Sequence, residues 1–249
     1  MPEAKVNGIN LACNVKGNGP PLVLIIGFAS AQNLWYSAVG AFSKSYRVIT
    51  FDNRGFGKSD KPPGPYTTKM LADDTLGLLD HLQIDKAHVL GGSLGGMAAQ
   101  EIAIGHPERV DKLILSASSA GGGRLRDMFA GMIKASYPEW DPAKPEDLVP
   151  ARLQQFMVAM ASQSFDGLAR TLMMPLIRRQ ARQGKVEVPV GQLQAMLSHD
   201  ALDRLMPSGS AQELASGMKG ARLVVIQGAA HALAGGKWNR EVLGFLGSA

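Results

Sequence analysis

An α/β fold, with a mostly parallel central sheet flanked by helices, is what this chain predicts on three observations. Short apolar runs recur at residues 21–27, 46–52, 86–92, 112–116 and 221–227, with helical segments between most of them. Strand–helix alternation with short turns is the pattern of parallel strands joined by crossovers. The run Pro21-Leu-Val-Leu-Ile-Ile-Gly27 lacks polar alternation, as expected of a strand covered on both faces. Between residues 121 and 205 strand-like runs vanish and helical segments punctuated by prolines take over, so a helical insertion is expected there.

In chain order, residues 5–15 alternate weakly about Asn7-Gly8, the signature of a short hairpin. After the 21–27 strand, residues 34–42 read as a helix carrying Trp35 and Phe42, and 46–52 as the next strand. A Gly- and Pro-rich loop fills 53–65, and Thr67 or Thr68 caps a helix running to about Leu82. The strand ending near Gly92 leads into a helix over 97–104, and 112–116 is a strand again. Helical segments are expected around Met128 and at 153–160, 168–182 and 192–205. Eight of the twelve methionines lie from Met128 to Met206, where they serve as core filler or as a pliable apolar binding surface. A strand at 221–227, a turn ending at His231 and a helix at 238–246 close the chain.

Composition excludes several classes of function. With 249 residues, 45% hydrophobic and 19% charged, the chain reads as one globular domain with an insertion. The net charge of +5 comes from scattered Lys and Arg residues apart from the 178–182 cluster, so no nucleic-acid partner is expected. Cys13 is the one cysteine, which rules out an intramolecular disulfide or a thiolate metal cluster, and it reads as a buried structural thiol. No apolar run approaches the ~18 residues of a membrane span and no apolar leader opens the sequence, so a cytoplasmic location is expected. Gly55-Phe-Gly-Lys-Ser59 mimics the end of a phosphate-binding loop but lacks its upstream glycine, and Ser93 occupies the second glycine of a dinucleotide pattern. No cofactor or metal is therefore expected.

The motif that carries chemistry is Gly91-Gly92-Ser93-Leu94-Gly95, set between an apolar run and an alanine-rich helix. Gly-x-Ser-x-Gly in that context is the nucleophile-elbow pattern, which exposes a serine hydroxyl on a sharp turn. The segments 21–27, 52–59, 91–96, 106–109 and 228–231 then match, in order, those of the α/β-hydrolase family, which the chain resembles over nearly its whole length. Residues 62–66 and the Ser-Leu-Gly-Gly-Met elbow look like its esterase, enol-lactonase and cofactor-free haloperoxidase branches. That resemblance implies a core of 1–120 plus 206–249 and a helical cap at 121–205. It implies Ser93 as nucleophile, His231 as general base, and the backbone N–H groups of Phe28 and Leu94 as the oxyanion hole. His81, His88, His106 and His199 read as surface or core residues. Many relatives carry a histidine where this chain has Ile26, which removes a polar side chain that braces the oxyanion loop.

The acid of the triad is the departure. It is expected on a strand and loop between the cap and the last strand, yet only Met206-Pro-Ser-Gly-Ser210 separates the expected helix ends. Five turn-forming residues cannot supply a strand and its loop, so one strand and the family's acid are expected to be missing. Asp200, Asp203 and Glu213 are the nearest substitutes in sequence. The expected function is cleavage of a carboxylic ester, slowly. Enol-lactone hydrolysis or perhydrolysis is the alternative within catalysis, and a noncatalytic small-molecule-binding relative is the rival outside it. The expected partner is a small apolar ester or lactone, and a missing strand would leave pairing edges that favour an exchanged homodimer.

Overall fold

The computed structural model describes residues 3–119, 127, 130, 131, 133, 134, 138–141, 192, 195 and 236–248. Among the described residues six strands form one sheet: β1 (Glu3–Val6), β2 (Ile9–Lys16), β3 (Pro21–Ile25), β4 (Arg47–Phe51), β5 (Ala87–Gly92) and β6 (Val110–Ser116), in the order β1-β2-β4-β3-β5-β6. β1, β2 and β4 pair antiparallel, whereas β4, β3, β5 and β6 are mutually parallel. The helices described from end to end are α1 (Tyr36–Phe42), α2 (Thr68–His81), α3 (Leu94–Gly105) and α4 (Gly236–Leu246). Among the described residues no helix is long and apolar enough to cross a membrane.

Local chemistry accounts for the elements. Asn7 and Gly8 have φ of 48° and 78°, the paired left-handed conformation of a two-residue hairpin turn. Thr67 caps α2 by accepting a hydrogen bond from the Met70 N–H. The segment expected as a helix over 34–42 starts instead as a 3-10 turn, Gln32–Trp35, and becomes α-helical only at Tyr36. Leu34 and Tyr36 are exposed there while Gln32, Trp35, Ala38 and Phe42 are buried, so tertiary contacts set the register. The helix after the elbow begins at Leu94, three residues before the expected start, and so includes Gly95, where an added Cβ would stand 2.1 Å from the Ile25 carbonyl oxygen.

Successive residues of β3 point to opposite faces, and two cores follow. Val23 and Ile25 join Ile49, Phe51, Val89 and the apolar sides of α2 and α3. Leu22, Leu24 and Ile26 join Trp35, Phe42, Val48, Leu90 and, from α4, Val242 and Leu246. A continuous apolar strand is thus the sequence imprint of a sheet covered on both sides. Trp238 of α4 stacks on Trp35 with centroids 5.9 Å apart and lies equally close to Phe42. Cys13 is buried in β2, and burial pushes its thiol pKa up, which makes it unreactive.

Asp127, Ala130, Gly131, Ile133 and Lys134 are helical, as expected near Met128, and so are Gln192 and Ala195. The rest of the expected cap at 121–205, His199, the 205–210 junction, Asp200, Asp203, Glu213, the 221–227 strand and His231 lie outside the described residues.

Candidate active site

The chain runs β3 to β4 on one side of the sheet and then crosses to β5 on the other side of β3. Accordingly α1 packs in the core with α4, and α3 in the core with α2. Where successive strands depart in opposite directions, a crevice opens beyond their carboxyl ends. Ser93 follows β5 at this point and Phe28 follows β3.

Ser93 has φ 52° and ψ −119°, a conformation that costs a non-glycine residue about 1–3 kcal/mol. Four hydrogen bonds hold it. Its N–H donates to the Ser116 carbonyl at 2.9 Å, and its carbonyl accepts from Gly96 N at 2.9 Å, Met97 N at 3.2 Å and Ser118 Oγ at 2.9 Å. The elbow closes only because its flanks have no side chain. A Cβ on Gly91 would stand 2.3 Å from the Gly95 carbonyl oxygen, and one on Gly95 only 2.1 Å from that of Ile25. Ser93 itself remains half-buried.

Leu94 is the first residue of α3, and the first N–H groups of a helix have no intrahelical acceptor. They also point along the positive end of the helix dipole, which favours a developing negative charge. Across the crevice, Gly27 comes close enough that a Cβ on it would lie 3.2 Å from Ser93 Cβ. The buried Phe28 therefore begins its turn beside Ser93. The structure brings Ser93, Leu94 and Phe28 together, while His231 lies outside the described residues.

Three other histidines are kept apart from Ser93. His88 stands five residues earlier on β5, about 16 Å away at the usual strand rise. His106 follows α3, about 20 Å from its start at the helical rise, and is exposed. His81, also exposed, ends α2. His88 is buried with its ring edge-on to Tyr46, and burial lowers its pKa despite the attraction of Asp111. His88 Nδ1 and Asp111 Oδ2 are 3.2 Å apart, but Nδ1 has no aligned hydrogen-bond partner. With half-exposed Asp111 opposite a neutral ring, this contact is not a working ion pair.

The loop after β4 supports the Phe28 turn. Asp52 accepts from Gln32 N at 2.7 Å and from Lys58 N at 2.9 Å, and Asn53 Nδ2 donates to the Ile26 carbonyl at 2.8 Å. Arg54 is fixed by a two-pronged pair with Asp74 at 2.5 and 2.6 Å, which raises its pKa further, and it lies over the Tyr66 ring at 5.7 Å. Burial raises the Tyr66 pKa in turn. The loop 52–59, whose Gly55–Ser59 part resembles the end of a phosphate loop in sequence, is thus a brace made of side-chain bonds to backbone and of the Arg54–Asp74 pair. Sequence reasoning missed Gln192, which reaches this brace from far along the chain. Its Oε1 accepts from Ala29 N at 3.1 Å and its Nε2 donates to the Arg54 carbonyl at 2.9 Å.

Residues 20–148 match the family model described as the alpha/beta hydrolase fold. The chain belongs to the α/β hydrolase fold family. Among similar α/β hydrolases, RutD of Azorhizobium caulinodans, assigned as a carbamate hydrolase, is 28% identical over 262 residues that cover 99% of this chain and 98% of that one. BpoC of Mycobacterium tuberculosis, assigned as a non-heme bromoperoxidase, is 40% identical over 123 residues, 49% of this chain and 47% of that one. The crystal structure of the enol-lactonase from Burkholderia xenovorans LB400 superposes with a TM-score of 0.79 at 25% identity, over 99% of this chain and 100% of that one.

Proposed function

We propose that this α/β hydrolase is a serine hydrolase that cleaves a carboxylic ester through a Ser93 acyl-enzyme. The observation that carries the reading is the clamped, strained backbone of Ser93 at the end of β5, with the Gly27–Phe28 turn against it. Ser93 Oγ attacks the acyl carbon while the His231 imidazole takes its proton, since an unassisted hydroxyl is a poor nucleophile. The oxyanion accepts hydrogen bonds from the N–H groups of Leu94 and Phe28. Collapse expels the alcohol, which takes the proton back from His231, and a water activated by the same imidazole releases the acid. Trp238 of α4 donates from Nε1 to Ser116 Oγ at 3.0 Å, on the residue whose carbonyl holds the Ser93 N–H.

Two substrate classes have specific support besides a simple ester. Whole-length likeness to the Burkholderia enol-lactonase favours an enol-lactone, a cyclic ester opened by the same steps. Whole-length similarity to RutD favours a carbamate. The test is labelling by a fluorophosphonate, followed by a panel of p-nitrophenyl esters, a lactone and a carbamate. Labelling abolished by Ser93→Ala, with turnover of one panel member, is expected. Absence of labelling in the intact protein refutes the nucleophile and favours a noncatalytic binding role. Without a carboxylate to orient His231, turnover is expected to fall by about 10⁴ from that of a complete triad. Rapid ester turnover, with intact mass matching 26.4 kDa, refutes that part.

A further inference from the structure

We propose that Gln192 is a positioning residue for the oxyanion hole, tying the donor turn at Phe28 to the loop after β4; this rests on the Ser93 hydrolase reading. The peptide whose N–H would bind the oxyanion, Gly27–Phe28, has no side chain of its own to hold its plane. Its two neighbours are pinned instead. On one side the Ile26 carbonyl accepts from Asn53 Nδ2 at 2.8 Å. On the other, the Phe28 carbonyl accepts from Ser30 Oγ at 3.0 Å and Ala29 N donates to Gln192 Oε1 at 3.1 Å. Ala29 has φ 50°, so this turn is held in a conformation that it would not keep unaided.

Gln192 is suited to hold it. It is fully buried, and its amide is engaged at both ends, with Nε2 donating to the Arg54 carbonyl at 2.9 Å. Arg54 is in turn anchored to Asp74, whose side chain is 1% exposed. One side chain therefore links the oxyanion turn to the 52–59 brace, from a position 163 residues away from Ala29 in sequence. Asn53 and Gln192 together supply the bracing that a polar residue at position 26 would give, where this chain has Ile26 inside the apolar core. A donor aimed at where charge develops acts on the transition state, not on ground-state binding. Loss of Gln192 should consequently appear in kcat.

The test compares intact protein, Gln192→Met and Gln192→Glu. Methionine removes both bonds at similar volume, whereas glutamate keeps an acceptor for Ala29 N but buries a charge facing the Arg54 carbonyl. Three quantities are read: the rate of Ser93 labelling by a fluorophosphonate, kcat and KM on an activated ester, and the melting temperature. Q192M is expected to lower the labelling rate and kcat about tenfold with KM within twofold, since a donor loosened by a fraction of an ångström loses less than the 10²–10³ of a deleted one. Q192E is expected to label faster than Q192M while melting at a lower temperature. Opposite orders of activity and stability are what a merely structural glutamine would not give. Q192M labelling within twofold of the intact protein, loss confined to KM, or matching activity and stability orders each overturn the proposal. If the intact protein itself is not labelled at Ser93, the hydrolase reading falls and this inference with it; unchanged labelling in Q192M alone sinks only the latter.

Discussion

Gly95→Ala is the substitution that most directly probes the elbow. The added Cβ would lie 2.1 Å from the Ile25 carbonyl oxygen, 2.6 Å from its carbon and 2.7 Å from the Ile26 oxygen. All three are backbone atoms of β3 and the residue after it, so no side chain can swing aside. An ordinary non-bonded separation is about 3.5 Å, which requires the start of α3 to retreat by about 1.4 Å. Overpacking on this scale costs about 1–3 kcal/mol. The catalytic effect should be larger, because α3 begins with the Leu94 N–H and a 1 Å misplacement costs about 10² in rate. Fluorophosphonate labelling of Ser93 and urea denaturation measure the two effects side by side. Gly244→Ala in α4 is the control, since nothing lies within 4 Å of its added Cβ and alanine gains about 0.5–1 kcal/mol in a helix interior. A Gly95→Ala protein that labels at the unmodified rate and unfolds at the same urea concentration would falsify the close-packing account of the elbow.

Other perturbations probe the frame around it. Asp74→Ala should destabilise by about 3–5 kcal/mol, because it strands the largely buried Arg54 guanidinium; a loss under 1 kcal/mol in urea unfolding would show that Arg54 finds water instead. His88 has a lowered pKa in the fold, so the folded state binds fewer protons than the unfolded chain and stability falls as pH drops below about 6.5 toward the folded value. His88→Leu should flatten that slope between pH 7.5 and 5, and an unchanged slope assigns it to other groups. Trp238→Phe removes the bond to Ser116 Oγ and should cost about 1 kcal/mol, against about 3–5 for Trp238→Ala. From the short 205–210 junction we propose an exchanged homodimer. Light scattering across concentrations should show it, and a monomer throughout counts against it.

The parallel sheet was legible because covering both faces leaves β3 with no polar position, a pattern that survives without any partner in view. The hairpin at Asn7-Gly8 and the Thr67 cap were legible because each is fixed by residues within a few positions of one another, and the elbow at Ser93 because its glycine spacing is local, although Ser116, Ser118 and Ile25 help to hold it. The Gln32–Trp35 turn was not, since its conformation depends on Gln32 donating to Ala12 and accepting from Thr50, across three segments of chain. Gln192 was less legible still. A glutamine in a helical stretch has no local mark of function, and its meaning comes from Ala29 and Arg54, more than a hundred residues away.

Backbone strain points to the same crevice independently of any motif. Among the described residues five non-glycine residues have positive φ: Asn7, Ala29, Gln83, Ser93 and Ala117. Asn7 is explained by its hairpin, and Gln83 by the left-handed residue that commonly follows a helix end. The other three follow β3, β5 and β6 respectively, which are adjacent in the sheet. Ala29 lies beside Phe28, the proposed oxyanion donor, Ser93 is the proposed nucleophile, and Ala117 sits between Ser116 and Ser118, which both hydrogen-bond to the Ser93 backbone. Each costs about 1–3 kcal/mol and persists only where its surroundings over-determine it. A sheet that merely needed to end its strands would place glycine at such turns, as this chain does at Gly17, Gly19 and Gly55. Here strain is retained instead at three neighbouring carboxyl ends around Ser93, and named hydrogen bonds hold it at Ala29 and at Ser93.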